Sequence, residues 1–158
     1  MPNTLADFTD RETLGRTLGI EMVEAGPDRV VATMPVEPRH HQPFGFLHGG
    51  ASVALAETVV SVGAYLAAPE GHTAFGMEIN ANHLRPMREG TLTATATPVA
   101  VGRTTQVWQA ELRDERGRLV CVSRCTIAIV PVGGREGEAR ALCGKTAAVP
   151  PRQPARLS

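Results

Sequence analysis

A chain of 158 residues is long enough for one domain with a real core, and a hydrophobic share of 42% argues against disorder of the whole. Sixteen Lys and Arg balance sixteen Asp and Glu, so broad electrostatic attraction to nucleic acid or an anionic membrane is not indicated. No run reaches the roughly twenty apolar residues of a membrane span, and the N-terminus shows no charged-then-apolar leader, so a cytoplasmic protein is expected.

The chain opens with a short predicted helix, capped by Thr9 or Asp10 and ending near Leu18, with Gly19 just beyond. Ile20 to Glu24 and Arg29 to Pro35 read as two strands around the turn Ala-Gly-Pro-Asp. Val36 to Leu47 is a Pro-rich loop with His40, His41 and Gln42 at its centre, the two histidines read as loop surface. Such loops are where sites tend to be. Gly49 and Gly50 then lead into a long apolar segment ending near Ala67, too long for a strand and apolar on every side. That pattern predicts a helix wrapped by other structure.

Pro69-Glu70-Gly71 stops the helix, and four strand-like runs follow: Thr73 to Leu84, Thr91 to Val99, Thr104 to Asp114 and Leu119 to Val130. Their short connections suit antiparallel neighbours. In the second run Thr91, Thr93, Thr95 and Thr97 share one face, and Leu92, Ala94 and Ala96 the other. Cys121 and Cys125 would stand about 13 Å apart along the last run, too far to bridge, and with Cys143 they read as buried thiols. From Pro131 the composition turns to Gly, Pro, Arg and Ala, so 1–130 is read as the domain and 131–158 as a tail outside it. One apolar helix needs a curved sheet around it. The expected class is therefore α+β, with a central helix, an antiparallel sheet of about six strands and a short N-terminal helix.

The chemistry gathers around Glu57, the only ionisable side chain in the body of the predicted helix. Buried there it must be partnered, protonated or functional, and its pKa would rise unless hydrogen bonds or positive charge offset desolvation. Ser61 lies one helical turn away on the same face, with Val53 and Val60 beside them. At the helix start the N–H groups of Gly49 and Gly50 lack intrahelical partners and carry the positive end of the dipole. An oxyanion hole needs such donors, and a carboxylate at reach could act as nucleophile or general base. His48 and Gln42 could add a donor or hold a water. Taken singly, each feature has a plain reading: an interface ion pair for Glu57, packing for Ser61, a hinge for the glycines. The scattered histidines predict no metal set.

The window HQPFGFLHGGASVALAETVVSVGAY, followed by GMEINANHLRP and later VGRTTQVW, resembles the hotdog-fold acyl-CoA thioesterases. It is similar in particular to the branch holding 1,4-dihydroxy-2-naphthoyl-CoA hydrolase, the enterobactin-synthesis proofreading thioesterase and phenylacetate-pathway-type thioesterases. The resemblance covers roughly Thr9 to Val130, and HGGA with a glutamate seven residues after its last glycine is its specific signal. It implies hydrolysis of an acyl-CoA thioester, of benzoyl or naphthoyl type, without cofactor or metal. Glu57 would be nucleophile or general base. Gly49 would donate its N–H to the thioester carbonyl with help from His48, while Gln42 and Ser61 orient substrate or water.

The resemblance also implies a homodimer with shared sites, assembled into a homotetramer, so that Gln42, His48 and Gly49 face Glu57 and Ser61 of a neighbouring chain. Coenzyme A would lie along Gly76, along His83, Leu84, Arg85 and Pro86, and along the turn Ala100, Val101, Gly102, Arg103, Thr104 and Thr105. Arg85 and Arg103 suit phosphate, because a guanidinium pairs with it through two hydrogen bonds. No nucleic-acid or membrane partner is expected. Two other functions compete: a hotdog 3-hydroxyacyl-thioester dehydratase, told apart by acyl unsaturation in place of a free thiol, and a non-catalytic acyl-CoA sensor, told apart by binding without turnover.

Overall fold

The structure, a computed structural model, describes residues 12–132. Thr9, Asp10, Cys143 and all of the expected tail after Val132 lie outside the described residues. The N-terminal helix α1 (Leu14–Thr17) is a single turn, capped by Thr13, whose hydroxyl accepts the Arg16 N–H at 3.3 Å. It therefore starts later than Thr9 or Asp10 would allow. Strands β1 (Glu21–Ala25) and β2 (Val30–Val36) form a hairpin, and a short 3-10 turn (Pro38–His40) leads to the long helix α2 (Gly49–Leu66). Four strands follow: β3 (His72–His83), β4 (Gly90–Val101), β5 (Thr105–Arg113) and β6 (Leu119–Pro131). Pro131 thus closes the last strand instead of opening a tail.

All six strands form one antiparallel sheet in the order β1-β2-β4-β5-β6-β3. The last four strands are therefore not neighbours in chain order. After His83 the chain passes the end of the β5–β6 hairpin and enters β4 beside β2, while β3 pairs with β6. The crossing is latched by Glu115 of that hairpin, whose carboxylate accepts the Thr91 N–H at 3.0 Å. A short connection alone did not reveal this, because six residues span two strands as easily as they turn back onto one.

The sheet curls around α2. Leu92, Ala94 and Ala96 of β4 face the helix and are buried, whereas the four threonines lie on the outer face, as their alternation requires. Leu55, Ala56, Val59, Val60 and Ala64 of the helix complete the core with Met34, Trp108, Leu112 and Ile127. Small residues let the layers approach: a Cβ on Gly63 would sit 2.5 Å from the Trp108 ring. By length and composition alone α2 is apolar enough to cross a membrane, contrary to the expectation from the sequence, but here it is the central helix of the sheet. Cys121 and Cys125 are free and buried under it.

One stripe of the helix escapes the wrapping. Glu57 is exposed, and Ala54, Thr58, Ser61 and Tyr65 are only partly covered. The expectation of a carboxylate buried within the chain is thus corrected. Next to that stripe runs β3, the outermost strand, whose far edge has no partner among the described residues, with Phe75 60% and Met77 57% exposed.

Candidate active site

Gln42 is held by a tight turn in which the Gly45 N–H reaches the Gln42 carbonyl at 2.9 Å, with Gly45 at a φ of 77°. The Phe44 N–H donates to the Gln42 side-chain oxygen, which leaves the amide NH2 free to donate elsewhere. The loop docks on the β3–β4 crossing through the Leu47 N–H to Met87 carbonyl bond at 2.7 Å and the Arg88 guanidinium 4.0 Å above the Phe46 ring. His40 is not loop surface but 2% exposed. Its Nδ1 accepts the Glu37 N–H at 3.1 Å and its Nε2 donates to the Leu18 carbonyl at 3.0 Å, tying loop to α1.

His48 is the N-cap of α2, and its Nδ1 accepts the Gly50 N–H at 2.8 Å. Gly50 is therefore not a free donor, contrary to the reading of both glycine N–H groups as unpaired. The Gly49 N–H is free: it meets no acceptor among the described residues. It borders a cavity of about 400 Å³ shared with Gln42, His83, Leu84, Arg85 and Pro86. A Cβ on Gly49 would lie 2.9 Å from the His83 Nε2, so only glycine lets that imidazole pack here. The His48 ring instead lines a neighbouring groove with Arg39, His41 and Ala54. In this chain the imidazole against Gly49 belongs to His83.

Glu57 and Ser61 share a second cleft, of about 500 Å³, with Thr58, Tyr65 and Leu14. The Glu57 carboxylate makes no ion pair or hydrogen bond among the described residues. Its Oε1 lies against Gly76 of β3. Beneath, burial together with the negative charges of Glu57 and Glu78 pushes the Cys125 thiol up to about 11, and burial also raises Cys121. Both sulfurs are thus neutral thiols and unsuited as nucleophiles. Thr58, Tyr65 and Leu14 were missed in the sequence, although Tyr65 continues the Glu57–Ser61 stripe at the next helical turn.

The two clefts are far apart within one chain. Gly49 and Glu57 are eight residues apart on α2, about 12 Å along its axis. Sheet register extends the separation. Gly76 is level with Ile127 and Gln106, and Phe75 with Ala128 and Thr105, so the Ala100–Thr105 segment lies at the Glu57 end. His83 is level with Cys121 and Leu112, at the opposite end. The Arg85 N–H meets the Val120 carbonyl, and Thr104, next to Arg103, meets Ile129 nine residues further along β6, roughly 30 Å away along the strand. The residues expected to form one site thus divide into two half-sites. One holds Gln42, Gly49 and His83 to Pro86; the other holds Glu57 and Ser61 with Gly76 against the carboxylate, and the turn from Ala100 to Thr105 lies at that end of the sheet without lining the cleft.

Residues 44–121 match the family model described as the thioesterase superfamily. A 1,4-dihydroxy-2-naphthoyl-CoA hydrolase of Escherichia coli is 50% identical over 113 residues, covering 72% of this chain and 83% of that protein. The chain belongs to the hotdog thioesterases. A proofreading thioesterase of Cronobacter turicensis is 46% identical over 118 residues, 75% of this chain and 86% of the relative. A crystal structure of a Haemophilus influenzae thioesterase superposes with a TM-score of 0.81 at 46% identity, covering 86% of this chain and 96% of the other. The six-stranded antiparallel sheet curled about one long helix is that fold, and the chain is a thioester hydrolase of this family.

Proposed function

We propose that two copies of this thioesterase build each active site and hydrolyse an aromatic acyl-CoA, of benzoyl or naphthoyl type, with water as co-substrate and no metal or cofactor. The observation that carries this reading is the division of the site. The free N–H of Gly49 and the unpaired carboxylate of Glu57 lie in different clefts, and the open edge of β3 runs past both. Antiparallel pairing of two β3 edges, centred between Ile79 and Asn80, would set Gly76 of one copy beside His83 of the other. Each Glu57 then meets a Gly49 from the partner subunit, and the unpaired strand edge with its exposed Phe75 and Met77 is covered.

In that site the thioester carbonyl oxygen accepts the Gly49 N–H, at the positive end of the α2 dipole, and the amide of Gln42. Charge that develops on this oxygen is stabilised without reorganisation. Glu57 attacks the carbonyl carbon or takes the proton of an attacking water, with Ser61 orienting that water. The tetrahedral intermediate collapses with loss of the coenzyme A thiolate, giving the free acid directly on the water route, or a mixed anhydride on Glu57 that water then hydrolyses. Arg85 from one copy and Arg103 from the other are brought toward one ligand by the same pairing and suit its phosphates. The cleft beside Glu57 is walled by Leu14, Val62 and Tyr65, which fits a flat apolar acyl group, and one close relative bears the name of a naphthoyl-CoA hydrolase.

Thiol release from a panel of aromatic and aliphatic acyl-CoAs tests the reading. Turnover should be fastest on benzoyl-type substrates and fall at least about a hundredfold in Glu57→Ala, the order expected for loss of a nucleophile or base. Undiminished turnover in that variant would place the chemistry elsewhere, and faster turnover on aliphatic chains would overturn the aromatic assignment.

A further inference from the structure

Strand β3 sends residues to both half-sites: Gly76 to Glu57 and His83 to Gly49. Seven positions separate them, and in a regular strand an odd separation puts two residues on opposite faces. Here both face α2. The pairing with β6 slips by one residue between Gly76 and Glu78 and leaves Met77 as an extra residue. Ahead of the slip Ala74 and Gly76 oppose the buried Ile129 and Ile127. After it Ile79 and His83 oppose the buried Cys125 and Cys121. Without the bulge, one of the two half-sites would lose its β3 residue to the outer face.

The glycine at position 76 needs a separate reason. Its φ lies in the range open to any residue, so the backbone does not require glycine there. Space does. A Cβ at Gly76 would lie 3.1 Å from the Glu57 Oε1, and among the described residues, its chain neighbours aside, no other atom would stand within 4 Å of it. Among the described residues beyond its chain neighbours, the carboxylate is the group that the missing side chain accommodates.

We propose that Gly76, turned toward the helix by the Met77 bulge, is a positioning residue for Glu57. Its bare backbone lets the carboxylate rest against β3 at the height from which it meets the thioester carbonyl carbon. This rests on Glu57 being the reacting carboxylate. A methyl group at this position displaces the carboxylate and does little else, because the group that must yield is the end of a flexible, exposed side chain. The fold is then expected to survive the substitution while the chemistry suffers.

The test is Gly76→Ala, made in the wild type and in Glu57→Asp, whose side chain is shorter by one bond of about 1.5 Å and stands clear of the added methyl. In the wild-type background kcat should fall about tenfold, in line with the cost of misplacing a reacting group by a fraction of an ångström, while KM and the melting temperature stay close to their original values. In the Glu57→Asp background the same substitution should cost little further. Equal fractional losses in both backgrounds would mean that Gly76 acts through the substrate or the fold, and would overturn the proposal. A crystal structure of Gly76→Ala supplies an answer independent of turnover. A carboxylate displaced from its place against β3 supports the proposal, and an unmoved one overturns it even if Glu57 is the catalytic group.

Discussion

At the scale of single residues, two ordinary side chains are given unusual roles by what stands next to them. Glu57 is a common helix residue, yet it has no partner among the described residues and points into a cleft. His48 caps α2 through Nδ1, so one imidazole nitrogen and one glycine N–H are committed to each other and the remaining free donor is Gly49. Cys125 lies close enough to Glu57 and Glu78 for their charges to add to burial in raising its thiol to about 11. At pH 8 only about one part in a thousand would be thiolate, and the sulfur is out of reach besides. Alkylation of the native protein at pH 8, mapped by peptide mass, should therefore leave Cys125 and Cys121 unmodified, with full labelling in urea. Rapid native labelling of either would mean that β6 opens from the helix.

At the scale of elements, the helix and its sheet depend on close approach more than on large side chains. Gly63 lies directly against the Trp108 ring, which is fully buried, and the indole N–H donates to the Gln106 oxygen at 2.8 Å. The ring is thus held by a hydrogen bond on the inner face of the sheet and cannot swing aside freely. Gly63→Ala should lower stability by about 1–3 kcal/mol, the usual cost of overpacking a core, read as a fall in the urea midpoint without a change in slope. An unchanged midpoint would show that helix and sheet separate easily at this contact. The same economy of side chains explains why the stripe from Ala54 to Tyr65 was misread in the sequence. An apolar helix wrapped on most sides looks, residue by residue, like one wrapped on all.

At the scale of the whole molecule, the proposed reading makes the site a property of a pair. If each active site takes Gln42 and Gly49 from one copy and Glu57 from the other, two inactive variants can repair each other. Glu57→Ala and Gln42→Ala, mixed in equal amounts and allowed to exchange subunits, should regain about a quarter of wild-type turnover: half the dimers are mixed, and each mixed dimer carries one intact site of two. No recovery after verified exchange would mean that the catalytic groups come together within one chain. The Gly76 proposal belongs to the same picture, since the bulge serves both half-sites on a strand that is also the expected seam.

The sequence alone carried the class of fold, the central helix, the alternation of β4 and the thioesterase resemblance, because each rests on local periodicity or on a short motif around HGGA and Glu57. Three matters needed the tertiary structure. The sheet order places β3 at the far edge instead of beside β4, which depends on where a six-residue crossing lands and not on any strand's composition. The bulge at Met77 is invisible in HTAFGMEINANH, since inward and outward positions are assigned only by the partner strand. The division of the expected residues between two clefts follows from both, because distance along a chain says nothing of level across a sheet.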